Sequence, residues 1–498
     1  MRFEGFIAQS YVSQSTRLGC EEAINVTLEL NEMTGRWKLY RAAGLRQAYT
    51  AGANTDGRAA LSINGHLFVV QGDTVKDFSF DGTTLALITS YVGLAVDGKR
   101  AQMAANVEGT MLAVYSGGKL YKIFGGVMTE VTWMGTAVAG VDVINDFFLM
   151  LSGLGDGFFY SEPGDVDVGD PLNFRSAEGS ANRYTRLLVD RNADIWLWGK
   201  ASSQVFYNDA NDPSEPFKPN QSAFMQTGIS APETACSLNG RVWWIDQNGT
   251  ARYSQGFIPQ PFSTHSVQNR WRKYGDISNA YAWTASWNGH EVIRFTFPTA
   301  IESFNLPGGT SPCTGTTWQY DTVSKAWTLA LGWDEILGQY TAHRGMSSAV
   351  LMNKQLVADR ANGKIYILDP EYYYDDTTRV PWLRRAPVIN EEGLEIEFPW
   401  FELGMQAGVG DGSNGDPDIG AVTPEFNPTV SMRYSNDWGQ TWTPARERTL
   451  GEQGDYGKRV YWSLNGSGRQ RVFEIGGSAA CPIAIDDCYL GQPEALSA

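Results

Sequence analysis

The sequence is poor in charge, in cysteine and in long apolar runs, and each shortage excludes a class of protein. Charged residues make up 19% of the chain, below the ~25% usual for soluble domains. So sparse a surface fits burial in an assembly, and it equally fits a β-protein rich in glycine and serine. The balance is one-sided as well: 39 Lys and Arg stand against 55 Asp and Glu, a net charge of −16. Proteins that grip nucleic acid carry a basic excess, because neutralising phosphates and releasing counterions drives their affinity. Stable DNA wrapping is therefore not expected, although an acidic wall along which DNA slides without sticking remains open.

Five cysteines (Cys20, Cys236, Cys313, Cys481, Cys488) form no CxxC pair. They are too sparse for a disulfide scaffold and read as reduced thiols of a protein made in a cytoplasm. The opening residues Met1 to Glu4 lack the apolar core of a signal peptide. No apolar run approaches the ~20 residues that span a bilayer, so no membrane insertion by this chain is expected. The four histidines (His66, His265, His290, His343) are scattered without zinc-ligand spacing. No GxxxxGK[ST], GxGxxG or GxSxG segment occurs. The expectation is a chain with no catalytic residues, no cofactor and no bound metal.

What the sequence does have is turns and flat side chains: 54 glycines and 12% aromatics, a composition that favours strands. No long window carries a 3.6-residue apolar period. A unit recurs instead: a turn residue pair, an apolar run, a second turn and a shorter strand. It appears as INGHLFVVQGD from Ile63, INDFFLMLSG from Ile144, LNGRVWWIDQNG from Leu238 and MNKQLVADRANG from Met352, among others. Its first turn falls near residues 64, 108, 145, 192, 239, 288 and 353, close to the ~40–50-residue spacing of propeller blades. Asn-Gly pairs supply the positive φ of tight hairpins. The near-continuous apolar runs, such as Phe147 to Leu151, read as strands covered on both faces. The predicted fold is all-β: a β-propeller of about six or seven blades with additional β-rich regions. Stacked sandwich domains with similar hairpins are the competing architecture. The expected division is an N-terminal β segment (1–55), the propeller (56–375), an interrupted, loop-rich segment (376–430) and a C-terminal hairpin unit (431–498).

The sharpest local motif lies in that last unit. SNDWGQTW places Ser435, Asp437, Gly439, Thr441 and Trp442 in the S-x-D-x-G-x-T-W pattern of an Asp-box. There the Asp bonds turn amides, the Gly takes the awkward turn conformation and the Trp packs under the hairpin, so the motif folds a turn and does no chemistry. A propeller glycoside hydrolase would also need an arginine cluster and a Tyr/Glu pair. Glu371 beside Tyr372 to Tyr374 has the right residue types, but an aromatic run next to a loop reads as packing. Asp411, Ser413, Asp416 and Asp418 offer oxygens to a cation without the EF-hand spacing, and read as a solvated acidic loop. The basic spots Arg270, Arg272, Lys273 and Arg384, Arg385 read as salt-bridge or subunit contacts, with a DNA-facing role as the alternative.

Three segments carry a resemblance. Gly19 to Leu45 is similar to the "N-L-Y-P-E … G … L-Y … P-G-L" opening of the tail hub proteins of short-tailed, podovirus-type phages, with Ala43 where that pattern has proline. Asp194 to Asp246 follows the family's order of an aromatic-rich hairpin, a Q-x-G segment and a Cys-bearing strand. The third segment pairs a D-x-G-x-T-W hairpin with "LG … Y … R-V-x-W … G … R-V-F", here Leu450, Gly451, Tyr456, Arg459, Val460, Trp462, Gly468, Arg471, Val472 and Phe473. In order and extent the chain resembles these packaged-DNA stabilisation, or nozzle, proteins. The resemblance implies a virion tail subunit, assembled in the bacterial host cytoplasm, that forms a homo-oligomeric ring, expected to be a hexamer, below the portal and adaptor. Such a ring extends the DNA channel, passes DNA during ejection without tight binding, holds a plug or needle protein and anchors a tailspike or tail fibre. The alternatives are a receptor-binding or carbohydrate-binding propeller module and a propeller hydrolase.

Overall fold

Each of the anticipated first turns joins an inner strand of a blade to the strand beside it. Asn64, Asn145, Asn239, Asn288 and Asn353 all take positive φ, between 45 and 60°, a conformation that asparagine tolerates better than most side chains. The computed structural model describes residues 1–50, 55–177, 182–212, 215–306, 309–409 and 427–491. The acidic positions Asp411, Ser413, Asp416 and Asp418 lie outside them.

Seven blades close into a ring. Their innermost strands are Gly57–Ile63, Gln102–Ala105, Val138–Ile144, Tyr184–Val189, Cys236–Leu238, Tyr281–Trp287 and Gly345–Leu351. Seven separate apolar clusters fill the seven blade interfaces, the last joining blade 7 to blade 1 through Leu356, Ala358, Leu67 and Val69. The continuously apolar strands sit between blades as their composition requires: Phe148, Leu149, Met150 and Leu151 are wholly buried. Between blades 4 and 5, Trp196 stacks on Trp198 at 5.5 Å, and Trp244 tilts against Trp198 at 5.8 Å. Flat rings of this size cover area with few torsions to freeze.

Two departures from the sequence reading concern chain topology. Residues 1–55 are not one segment outside the propeller. Gly44–Tyr49 pairs with Ile365–Asp369 and supplies the outer strand of blade 7, so the ring is shut by a strand about 300 residues away in sequence. Gly44 is required there, because a Cβ would collide with the carbonyl of Tyr372. The earlier strands belong elsewhere. Val26–Asn31 and Arg36–Arg41 join Ala484–Leu490, Trp400–Met405 and Val460–Ser463 in one sheet. Cys20–Ile24 joins Trp382–Arg385, Gln470–Gly477, Thr429–Ser435 and Arg446–Thr449 in the facing sheet. Leu28, Leu39, Met432, Phe401, Trp462 and Phe473 form the core between them. The second domain is thus a β-sandwich built from both ends of the described chain: the passage from propeller to sandwich lies near the expected 375, whereas the expected boundary at 431 falls within the sandwich strand Thr429–Ser435.

The long spacing between the last two repeats is also resolved. Blade 6 lengthens its second and third strands, His290–Leu306 and Gly309–Asp321, into an arm that leaves the propeller. Its outer strand, Ala326–Leu329, pairs in parallel with Cys20–Ile24 at Leu329 and Ile24. One continuous sheet therefore runs from the propeller into the sandwich.

Candidate functional site at the propeller–sandwich junction

The buried charge of the molecule concentrates where the blade-6 arm meets the sandwich. A seven-residue helix, His265–Trp271, starts at Thr264, whose hydroxyl accepts from the Val267 amide, and it delivers Arg270 to the junction. Arg270 bonds Glu302 of the arm through Nε at 3.2 Å and Glu22 of the sandwich through Nη1 at 3.2 Å. Its guanidinium lies 4.8 Å from the Trp318 ring. Glu302 also accepts from the Tyr274 hydroxyl, which in turn accepts from the Trp318 indole at 2.9 Å. Burial, followed by the neighbouring Glu302 carboxylate, pushes the Tyr274 hydroxyl well above its ordinary pKa.

On the sandwich side Arg385 reaches Glu22 at 3.4 Å and donates through Nε to Glu474 at 2.8 Å. Arg433 donates to the other Glu474 oxygen at 2.6 Å and to the Asn305 carbonyl in the arm. Three arginines and three glutamates thus alternate across the junction, each with 12% or less of its side chain exposed. Buried charges persist only when paired and bonded in this way.

The Asp-box caps the network. The Asp437 carboxylate accepts from the Gln440 amide at 3.0 Å, the Thr441 amide at 2.8 Å and the Thr441 hydroxyl at 2.6 Å. Ser435 Oγ donates to Asp437 and accepts from the Gly439 amide at 2.8 Å. Gly439 has φ +82°, a left-handed value that the turn requires. Burial pushes the Asp437 carboxyl up, but the Thr441 hydroxyl and the turn amides outweigh it and hold the group below its ordinary pKa. The Trp442 indole donates to the Gly439 carbonyl at 3.1 Å. Its ring lies 4.8 Å from the Arg385 guanidinium and 4.7 Å from that of Arg433, a cation–π contact with each. Asn305 at the end of the arm donates to the Gly439 carbonyl at 3.2 Å. The motif is therefore tied to the arm as well as to its own turn.

The basic residues singled out from sequence separate into two groups. Arg270, Arg384 and Arg385 face the interior, Arg270 and Arg385 in salt bridges, the first of the two readings given to these spots, and none of the three has the DNA-facing placement of the alternative. Arg384 is fully buried and donates to the carbonyls of Gly5, Phe6, Gln9 and Glu22, which pins the N-terminal segment; its burial pulls the guanidinium down to about 10. Arg272 and Lys273 alone of the five are exposed. Glu371 is exposed, while Tyr372 is buried and donates to the Asp376 carbonyl at 2.5 Å, so the pair serves a turn. Sequence reading missed Glu22, Glu302, Arg433 and Glu474. The available signal was a charge set among core residues, as in Val472-Phe473-Glu474-Ile475.

Residues 24–373 match the family model described as bacteriophage P22 Gp10, beta-propeller, and residues 381–491 match the model for its beta-sandwich. No curated protein matches the sequence at a significant level. Among solved structures, virginiamycin B lyase from Staphylococcus aureus is similar at 9% identity and a TM-score of 0.42, covering 66% of this chain and 99% of that one. BamB from Moraxella catarrhalis is similar at 11% identity and a TM-score of 0.37, covering 65% and 97%. The two family matches follow one another along the chain and divide where the structure passes from propeller to sandwich, and the chain belongs to the bacteriophage P22 Gp10 family of phage tail and packaged-DNA stabilisation proteins.

Proposed function

We propose that this chain is a non-enzymatic hub, or nozzle, subunit of a short phage tail, which assembles into a ring that prolongs the DNA exit channel. The ring retains packaged DNA by closing the exit, and it anchors tailspikes or fibres on its flank and a plug or needle at its tip. One observation carries the reading: two domains of a single tail-protein family cover almost the whole chain in order. The charge and the junction support it. A net charge of −16 disfavours a wall that clamps phosphates, since each clamp adds salt-sensitive friction to DNA leaving the tail. The ionic junction suits a subunit that must keep two domains in fixed register under load. The Asp-box carboxylate, with both oxygens engaged by its own turn, has a structural role and leaves nothing for hydrolysis.

The test is assembly. Virions made without this chain are expected to package DNA and then lose it. Purified chain mixed with the adaptor ring is expected to form closed rings visible by negative stain. It is also expected to show no submicromolar affinity for duplex DNA at physiological salt. Tight duplex binding, or particles that retain DNA without the chain, would overturn the proposal.

A further inference from the structure

Where the blade-linking loops surround the centre of the propeller, a funnel of about 650 Å³ opens and continues inward as a channel of about 400 Å³. Its size falls within the ~300–1,000 Å³ of small-ligand pockets. Four cations line the mouth: Lys99 and Arg100 from the link between blades 1 and 2, Arg183 before blade 4, and Lys200 from a turn of blade 4. None of the four makes an ion pair among the described residues, in contrast to Lys119, Lys122, Lys218 or Arg252 elsewhere on the propeller. The one carboxylate in the mouth, Glu233, already faces Arg186 at 3.5 Å.

Deeper in, the Nε–H groups of Arg100 and Arg186 and the Trp283 indole N–H are buried without an acceptor, and all three residues line the channel. Buried donors left this way cost free energy unless a ligand or water meets them. Tyr115, Ile229 and Met346 add apolar wall between the charges. In a chain with 16 more negative than positive charges, so local an excess of unneutralised cation is an anion site by its electrostatics.

We propose that the funnel binds a compact polyanion, carrying two or more carboxylate or phosphate groups on a small, partly apolar scaffold. A pocket of this volume does not admit a DNA duplex, so the site is distinct from any contact with passing DNA.

The experiment is calorimetric titration of the full chain with inorganic tripolyphosphate and, separately, with citrate, at low salt. At least one probe is expected to bind one-to-one, and the stronger of the two assigns phosphate or carboxylate as the preferred group. Arg183→Glu and Lys200→Glu are each expected to weaken binding about tenfold or more, as loss of a charge-assisted contact does, with an unchanged melting temperature. Lys119→Ala, whose cation is paired to Glu130 outside the funnel, is expected to bind as wild type. Should either glutamate variant melt early, the exposed Lys99→Glu takes its place. No heat with either probe, equal binding in the funnel variants, equal weakening in Lys119→Ala, or displacement of a bound probe by a duplex oligonucleotide would each overturn the proposal.

Discussion

Arg270, Arg385 and Arg433 at the junction meet Glu22, Glu302 and Glu474 charge for charge, nearly shut off from water. At the propeller mouth Lys99, Arg100, Arg183 and Lys200 share one carboxylate that is already engaged. The same residue types are thus placed under opposite conditions. Paired and buried, they fix the relation of two domains, because losing Arg270 strands Glu302 and losing Glu474 strands Arg433. At the mouth none of the four is matched, among the described residues, by a carboxylate of its own, and of them only Arg100 is also tied into the fold, through its bond to the Ala282 carbonyl at 2.6 Å. The contrast separates cations that hold structure from cations that await a ligand.

The strongest way to break this comparison is at Glu474, which accepts from both Arg385 and Arg433. Glu474→Ala leaves the buried Arg433 without a carboxylate and Arg385 with Glu22 alone, and is expected to cost about 3–5 kcal/mol in urea unfolding. A variant as stable as wild type would mean that the junction charges are not mutually dependent. Next in size is Trp442→Ala. The ring is half-buried, so losing its contacts with two guanidiniums is expected to cost about 2 kcal/mol, and limited proteolysis should then release the arm from the sandwich sooner. If proteolysis is unchanged, the ring does not tie arm to sandwich.

Asp437→Ala is expected to be milder, about 1 kcal/mol, since the turn amides it leaves behind are exposed and water replaces the lost acceptor. Its pH dependence has a defined sign. The folded carboxyl is held below its ordinary pKa, so its contribution is present above the unfolded value of ~3.9 and drains away as pH falls through the folded one. Wild type and variant should differ at neutral pH and converge in acid; a gap that widens in acid would reverse the assignment. The smallest expected effect sharpens the contrast itself. Between 50 and 500 mM NaCl, anion binding at the mouth should fall steeply while unfolding free energy changes little, because buried pairs are screened far less than exposed cations.

How much of this was legible in sequence depends on whether the cause was local. The positions near 64, 145, 239, 288 and 353 were readable because asparagine at a tight turn is chosen by that turn's own backbone. The Asp-box was readable for the same reason: Ser435, Asp437 and Thr441 bond one another within a few residues. Gly44–Tyr49 carries no mark of its place in blade 7, since what selects it is an edge formed by Ile365–Asp369. Nor does Glu22 announce Arg270 and Arg385. Each sits in a short element of ordinary composition: the pairing of two strands distant in sequence sets Glu22 opposite Arg385, and a helix from a third region brings Arg270 to them. The salt-bridge reading of Arg270 and Arg385 named no partners, because neither the helix that carries Arg270 nor the strand that carries Arg385 shows in its own residues which element will cover it.

The late-arriving partner of Gly44–Tyr49 has a consequence for how the molecule is made. Ribosomes extend chains at ~5–20 residues per second, so the strand emerges on the order of half a minute before the edge it must join. Through that interval the propeller is an open spiral with blade faces uncovered. The sandwich closes later still, when Ala484–Leu490 meets Arg36–Arg41. Contacts this distant in sequence form slowly. A nascent chain halted before residue 484 lacks the strand that joins Arg36–Arg41 to Trp400–Met405, so the second domain cannot be finished until translation has run past that point.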